Sequence, residues 1–342
     1  MERRTYVKSA IGVACISFSA GCTGGNTSAR SGQSSSSDGG SQRANTPSGP
    51  PEQKAAEHLE KAGKALENAG NELDSESEKF TSSEFREGTV DIQTSGIYGY
   101  FDRAEAELNA ATEFATDDQE DLIDAIEEFV EFGRALVKFL DTFADGYSES
   151  YTGFTYLQSE RYRDAIAQLR KAEETLQDAS DLLTVSRTRF DDLDPVLTDE
   201  LDQVNISKFN EDLDKLERLL PVLITVAVGS RYLSRGMLDY QTAQDHFEAE
   251  DLASAAPKFE RAAEDFGLAY SEFKAQEDTA PSEVKSTVIE MTCYSKSLRD
   301  GSTHLADGSK AYERGDRQRA EELFDEARTA FNRCNFDDDS GT

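Results

Sequence analysis

From Pro51 onward the apolar residues of this chain recur every three or four positions and almost nowhere at every second one. That is the period of a helix, whose face returns every 3.6 residues, whereas a strand alternates at two. The clearest run is Leu122, Ile126, Phe129, Gly133, Leu136, Leu140, Phe143 and Tyr147, widened by Ile123, Val130, Val137 and Tyr151. Asp121, Asp124, Glu127, Glu128, Glu131 and Asp141 occupy the other faces. So long an amphipathic helix must bury its stripe against neighbours, and the chain is expected to be all-α. Breakers near Glu160-Arg161, Asp194-Pro195, Pro221, Glu250-Asp251, Ala280-Pro281 and Gly315-Asp316 divide it. The most apolar stretch, Leu219 to Val228, is about half the length a bilayer span needs. It reads as a buried helix at the centre of the domain, with Pro221 in its first turn or at a kink.

Three segments share an internal pattern. They begin at Thr152 ("TGFTYLQSERYRDAIAQLRKAEETL"), Thr242 ("TAQDHFEAEDLASAAPKFERAAEDF") and Asp307 ("DGSKAYERGDRQRAEELFDEARTAF"). Each has a small residue first (Gly153, Ala243, Gly308), an alanine after the turn (Ala165, Ala255, Ala320), a large apolar residue (Leu169, Phe259, Phe324) and a second alanine (Ala172, Ala262, Ala327). Small residues let two helices approach, and the large one fills the gap between them. The turns are short and polar: Ser159-Glu160-Arg161, Ala249-Glu250-Asp251 and Arg314-Gly315-Asp316.

This pattern resembles the tetratricopeptide repeat. Glu149, Asp239 and His304 stand where that family has its early tryptophan, its closing proline is missing, and the copies are not tandem. The resemblance therefore implies longer units of antiparallel helical hairpins in a bundle or solenoid: 118–189, 207–277 and 281–333, with 51–116 as a degenerate fourth. Together they form a domain over 51–336, followed by an acidic tail, 337–342. In that family the first helix of each hairpin lines a concave binding face. The resemblance implies such a groove at Tyr147, Phe154 and Leu157, then Tyr240, Gln244 and Phe247, then Leu305, Ser309 and Tyr312. Two tyrosine-rich stretches, Tyr98-Tyr100-Phe101 and Tyr147 to Tyr162, suit peptide recognition, because aromatic side chains offer large contact area at low entropy cost.

The first fifty residues break the helical period. Arg3, Arg4 and Lys8 precede an uncharged, weakly apolar segment, Ser9 to Ala20, too short to span a membrane. Arg3-Arg4-Thr5-Tyr6-Val7-Lys8 resembles the twin-arginine export motif. Ser19-Ala20-Gly21-Cys22 resembles a lipobox, with Ser19 where an aliphatic residue is usual. Residues 1–21 are thus expected to be a signal peptide and Cys22 a lipidated anchor, holding the protein on the extracytoplasmic face of the cell membrane. Residues 23–50 are almost wholly Ser, Gly, Thr, Asn, Gln, Arg and Pro. Such a segment buries too little to offset ordering and reads as a tether with an r.m.s. span of about 30 Å.

Acidic residues number 68 against 36 basic ones, for a formal charge of −32. Nucleic acid is excluded as a partner, since phosphate binding needs clustered Lys and Arg. Membrane contact is expected through the lipid only, because anionic headgroups repel this body. Arg outnumbers Lys by 22 to 14. Acid-rich, Lys-poor surfaces resemble those of salt-loving archaea, where the Debye length shrinks to about 3 Å in molar salt. Of four cysteines, Cys15 lies in the expected signal and Cys22 at the anchor, leaving Cys293 and Cys334 on neighbouring antiparallel helices as a disulfide or two free buried thiols. Two sulfurs fall short of a four-ligand zinc site.

Chemistry is hard to place. His58, His246 and His304 are far apart, and the chain has no HExxH, phosphate-cradling glycine loop, Gly-x-Ser-x-Gly or CxxC motif. Paired carboxylates are too common here to mark a site. The sequence is therefore expected to encode no enzyme and to need no cofactor or metal. It reads as a membrane-anchored scaffold or adaptor for proteins or peptides. The rival reading is a solute- or metal-binding lipoprotein serving a transporter.

Overall fold

The computed structural model describes residues 50–79, 92–193 and 206–334. Arg3, Arg4, Cys22, the tether up to residue 49 and the acidic tail lie outside these residues. The described residues hold eight helices and no strand: α1 (Pro51–Glu78), α2 (Thr94–Thr112), α3 (Asp117–Gln158), α4 (Tyr162–Asp191), α5 (Ile206–Glu248), α6 (Leu252–Gln276), α7 (Ser282–Glu313) and α8 (Arg317–Phe331). Each helix packs on the helices before and after it, so the fold is all-α, with consecutive helices paired as hairpins. At 42 residues, α3 is about 63 Å long.

Local chemistry sets the ends. Thr116 caps α3, its backbone N–H donating to Gln119 Oε1 at 3.1 Å. Asp117, Asp118 and Glu120 then place negative charge at the positive end of the helix dipole. The three tight hairpins share one turn. Glu160, Glu250 and Gly315 take the left-handed conformation at φ 60°, 60° and 82°. The next residue's N–H reaches back five positions: Arg161 to Tyr156 O (2.9 Å), Asp251 to His246 O (2.9 Å) and Asp316 to Ala311 O (3.0 Å). That bond closes a Schellman motif, which satisfies carbonyls the helix end leaves open. Asp251 and Asp316 then cap the following helix, accepting from the N–H of Ser254 (3.2 Å) and Arg319 (3.3 Å).

Counting outward from these turns explains the seams. Seven residues before the left-handed residue stand Gly153, Ala243 and Gly308, and nine after it stand Leu169, Phe259 and Phe324. One heptad further out the pairs are Gly146 with Leu176, Gly236 with Phe266, and Gly301 with Phe331; Gly229 meets Phe273 beyond them. A Cβ on Gly308 or Gly236 would come 2.5 Å from the Phe324 or Phe266 ring, and one on Gly153 2.6 Å from Leu169. Glycine is thus needed at those crossings, while at Ala243, opposite Phe259, a methyl is accommodated. Between these pegs, Ala165, Ala172, Ala179, Ala255, Ala262, Ala269, Ala320 and Ala327 are buried.

Two main cores result. One gathers α1 to α4 and the first half of α5 around Phe132, Phe139, Phe143, Leu136 and Leu140. The other joins the end of α3 and start of α4 to α5, α6 and α7 around Phe259, Phe266 and Phe273. The Leu219–Val228 run lies where they meet: Leu220 and Ala227 face the first, while Leu219 and Val222 pack on Ala280, just before α7, and on Val284 and Val288 of α7. No helix among the described residues is long and apolar enough to cross a membrane. α5 continues through Pro221, which therefore neither divides the chain nor stands in a first turn, two of the places the sequence offered for it. Proline removes one backbone hydrogen bond, and the buried leucines and valine around it outweigh that loss. Cys293 and Cys334 form a disulfide with Cα atoms 5.9 Å apart, tying α7 to the residues after α8.

Candidate functional site

The residues assigned to a concave groove do not share an open face. Tyr147, Phe154, Leu157, Tyr240 and Ser309 are buried, Gln244, Phe247 and Leu305 are half-buried, and only Tyr312 is exposed. The reason lies in the glycines of α7. Gly301 and Gly308 let the Phe331 and Phe324 rings cross that helix. Phe331 then meets Tyr240 edge-on at 5.8 Å, and Phe324 meets Phe247 at 5.3 Å, both on α5. Tyr240 and Phe247 also pack on Phe259, at 5.6 and 6.2 Å. The space is filled from within. Gln244 Nε2 donates to the Tyr240 hydroxyl (3.2 Å), and the Ser309 hydroxyl donates to Leu305 O (2.8 Å). Tyr312 stays outside, with the Arg317 guanidinium over its ring.

The three histidines are each committed to one carboxylate. His58 Nδ1 meets Glu107 at 2.7 Å, linking α1 to α2; His304 Nδ1 meets Glu326 at 3.2 Å, linking α7 to α8. His246 lies 3.5 Å from Asp251 in the α5–α6 turn. No three His, Cys, Asp or Glu side chains among the described residues are grouped to hold a metal.

An open cleft exists elsewhere. It encloses about 780 Å³ over α3, with α2 and α4 as its walls. The floor is the stripe Glu127, Val130, Glu131, Arg134, Ala135 and Lys138, which repeats at three and four positions and so lies on one face of α3. Tyr98, Glu105, Leu108 and Asn109 form one wall, and Leu182, Val185 and Arg189 the other. Val185 is among the most exposed large apolar side chains of the described residues, at 46 %.

Its charges are arranged along the axis. Arg134 is held by Asp102 (2.6 Å) and Glu105 (3.0 Å) of α2, and Arg189 pairs with Glu131 across the α4 wall. Lys138 makes no ion pair among the described residues. Glu127, at the other end, is held above the usual carboxylate range, first by burial and then by the like charges of Asp124 and Glu105. Burial, then Asp141, raises the Tyr98 phenol, which therefore stays a hydrogen-bond donor at neutral pH. The cleft holds three cations and three carboxylates in a chain where acids outnumber bases by nearly two to one.

Only Tyr98 of these lining residues belonged to a stretch marked in the sequence as a recognition surface. The signal for the rest sat in α4. Its seam runs Ala172, Leu176, Ala179, Leu183, Ser186 and Phe190, all buried. Leu182 and Val185 are apolar yet fall off that seam, as expected of residues serving a second surface. No family model, no curated protein and no solved structure matches this chain.

Proposed function

We propose that this protein is a scaffold or adaptor, lipid-anchored through Cys22 on the extracytoplasmic face, that binds a protein or peptide in the α2–α3–α4 cleft. The observation carrying this is the cleft itself: half-buried Leu182 and exposed Val185, above the buried Leu108 and Val130, beside charged groups. An apolar patch rimmed by charge is how surfaces that exchange water for a partner are built. Its volume falls within the range of small-ligand pockets, but its charges spread over three turns of α3 suit an extended segment better than a compact solute. The hairpin turns at Glu160, Glu250 and Gly315 fit antiparallel helical hairpins, the part of the tetratricopeptide-repeat resemblance this reading uses. The export motif at Arg3-Arg4, the Cys22 anchor and the tether supply the address in this reading.

Two experiments test it. Replacing Cys22 with Ser should move the protein from the membrane fraction to the medium; continued membrane retention would remove the anchor. Cross-linking intact cells at their native salt and capturing the protein by a C-terminal tag should recover one or two constant surface partners. Recovery should collapse in Val185→Asp. A partner captured equally by that variant binds elsewhere, and the cleft loses its role.

A further inference from the structure

We infer that the cleft selects a segment of opposite charges, with a carboxylate seated at the Lys138 end and a cation at the Glu127 end. The inference rests on the peptide-binding reading above and sharpens it. Inside the cleft the two arginines are already neutralised, Arg134 by Asp102 and Glu105, Arg189 by Glu131. What remains is one ammonium without an ion pair among the described residues, Lys138, and one crowded carboxyl, Glu127, which Asp124 and Glu105 repel. Both lie on the floor stripe of α3, eleven residues apart, or about 16 Å at 1.5 Å per residue. An extended peptide covers that span in about five residues.

The walls fit the same occupant. Next to Lys138 stand the Tyr98 phenol, a second donor for a carboxylate, and the apolar Leu182 and Val185. α2 and α4 both run antiparallel to α3: on α2 Tyr98 faces Asp141 while Asp102 faces Arg134, and on α4 Leu169 faces Gly153, Leu176 faces Gly146 and Arg189 faces Glu131. Asn109 therefore lies towards the Glu127 end, where its amide nitrogen already donates to Glu105 O at 2.9 Å and its amide oxygen can accept from a cation. A uniformly acidic segment would meet Glu127, whose charge Asp124 and Glu105 already oppose, at one end, and a uniformly basic one would meet Lys138 at the other. Opposed ends avoid both repulsions, and like-charge contact is how a surface rejects wrong partners.

The test uses the purified full-length protein in the lowest salt at which its circular dichroism is fully helical. Fluorescence anisotropy follows three pools of labelled hexapeptides whose four central positions are Leu, Val, Ala or Ser. One pool has Asp first and Lys last, the second Asp at both ends, the third Lys at both ends. The opposed pool should bind at least tenfold more tightly than either other. Lys138→Glu should weaken it about tenfold, as should Glu127→Lys, while the double exchange Lys138→Glu with Glu127→Lys should recover binding to within about threefold. These are exposed or partly exposed positions, and dichroism confirms that each variant is folded. Equal binding of the three pools, or no effect of the single exchanges, overturns the charge rule and leaves the peptide site standing. No binding by any pool overturns the peptide site and this inference with it.

Discussion

Around the middle of α3 the interior is made of large side chains, Phe132, Leu136, Phe139, Leu140 and Phe143, with ring centroids 5.4 Å apart for Phe132 with Phe190 and 5.8 Å for Phe139 with Phe143. From α5 to α8 it is made of pegs and gaps, with Phe266, Phe273, Phe324 and Phe331 lodged over Gly236, Gly229, Gly308 and Gly301, and a disulfide beside the last. Both solve the same problem of burying a helix face. The first is keyed by glycine at fewer places, Gly133 under the Phe101 ring and Gly146 under Leu176, and a cleft lies between its α2 and α4. The second brings backbones close at four crossings, and Phe324 and Phe331 fill the place where the repeat resemblance put a groove. The α2–α3–α4 cleft thus lies in the half with fewer such crossings.

Four changes break or sharpen that contrast. The largest should be Phe139→Ala in the first core, where a fully buried ring leaves a cavity costing about 3–5 kcal/mol; denaturant midpoints at constant salt read it. Reducing the Cys293–Cys334 disulfide should cost about 2–4 kcal/mol. Hydrogen exchange should then rise across α8 and the end of α7 and stay unchanged in α2 and the first half of α3.

Third comes a pair of identical substitutions. Gly236→Ala drives a methyl against the Phe266 ring and should lose about 1–3 kcal/mol despite alanine's better helix propensity. Gly63→Ala in α1 meets nothing within 4 Å and should gain about 0.5–1 kcal/mol. Equal effects at the two sites would erase the distinction between keyed and unkeyed packing. The turns come last. Glu160→Gly and Glu250→Gly should each stabilise by about 0.5–1 kcal/mol, because glycine takes the left-handed conformation without strain, and Gly315→Ala should cost a similar amount. A pH series adds one more difference. Burial raises the Asp265 carboxyl above its usual range even though Arg235 lies 3.1 Å away. A raised acid binds protons more tightly folded than unfolded, so the native state gains as pH falls through the folded value. Asp265→Asn should therefore be at least as stable as the parent at pH 7, and the two should converge as the pH is lowered through the raised folded value towards the ordinary aspartate range.

The hairpins could be read from residues alone because their signals are local: polar turns such as Ser159-Glu160-Arg161 and the alanine-large-alanine spacing that follows each. Pro221 was misread as a breaker because its cost is local while the burial of Leu219, Leu220 and Val222 that offsets it comes from other helices. The groove failed for a similar reason. Tyr240 and Phe247 hold the positions the resemblance assigns, but spacing on α5 cannot reveal that Phe324 and Phe331 reach them across α7. The cleft was half visible, in Tyr98 and in the off-seam Leu182 and Val185. That three separate helices bring them together is a tertiary fact.

The decisive measurement places a photo-cross-linking amino acid at Val185, inside the cleft, and in a second strain at Leu268 of α6, equally exposed at 46 % but outside it. Both strains are irradiated as intact cells at native salt. If the cleft is the recognition surface, a discrete higher-mass adduct forms at position 185 and none at 268. An adduct at 268 alone, or at both positions equally, would contradict it.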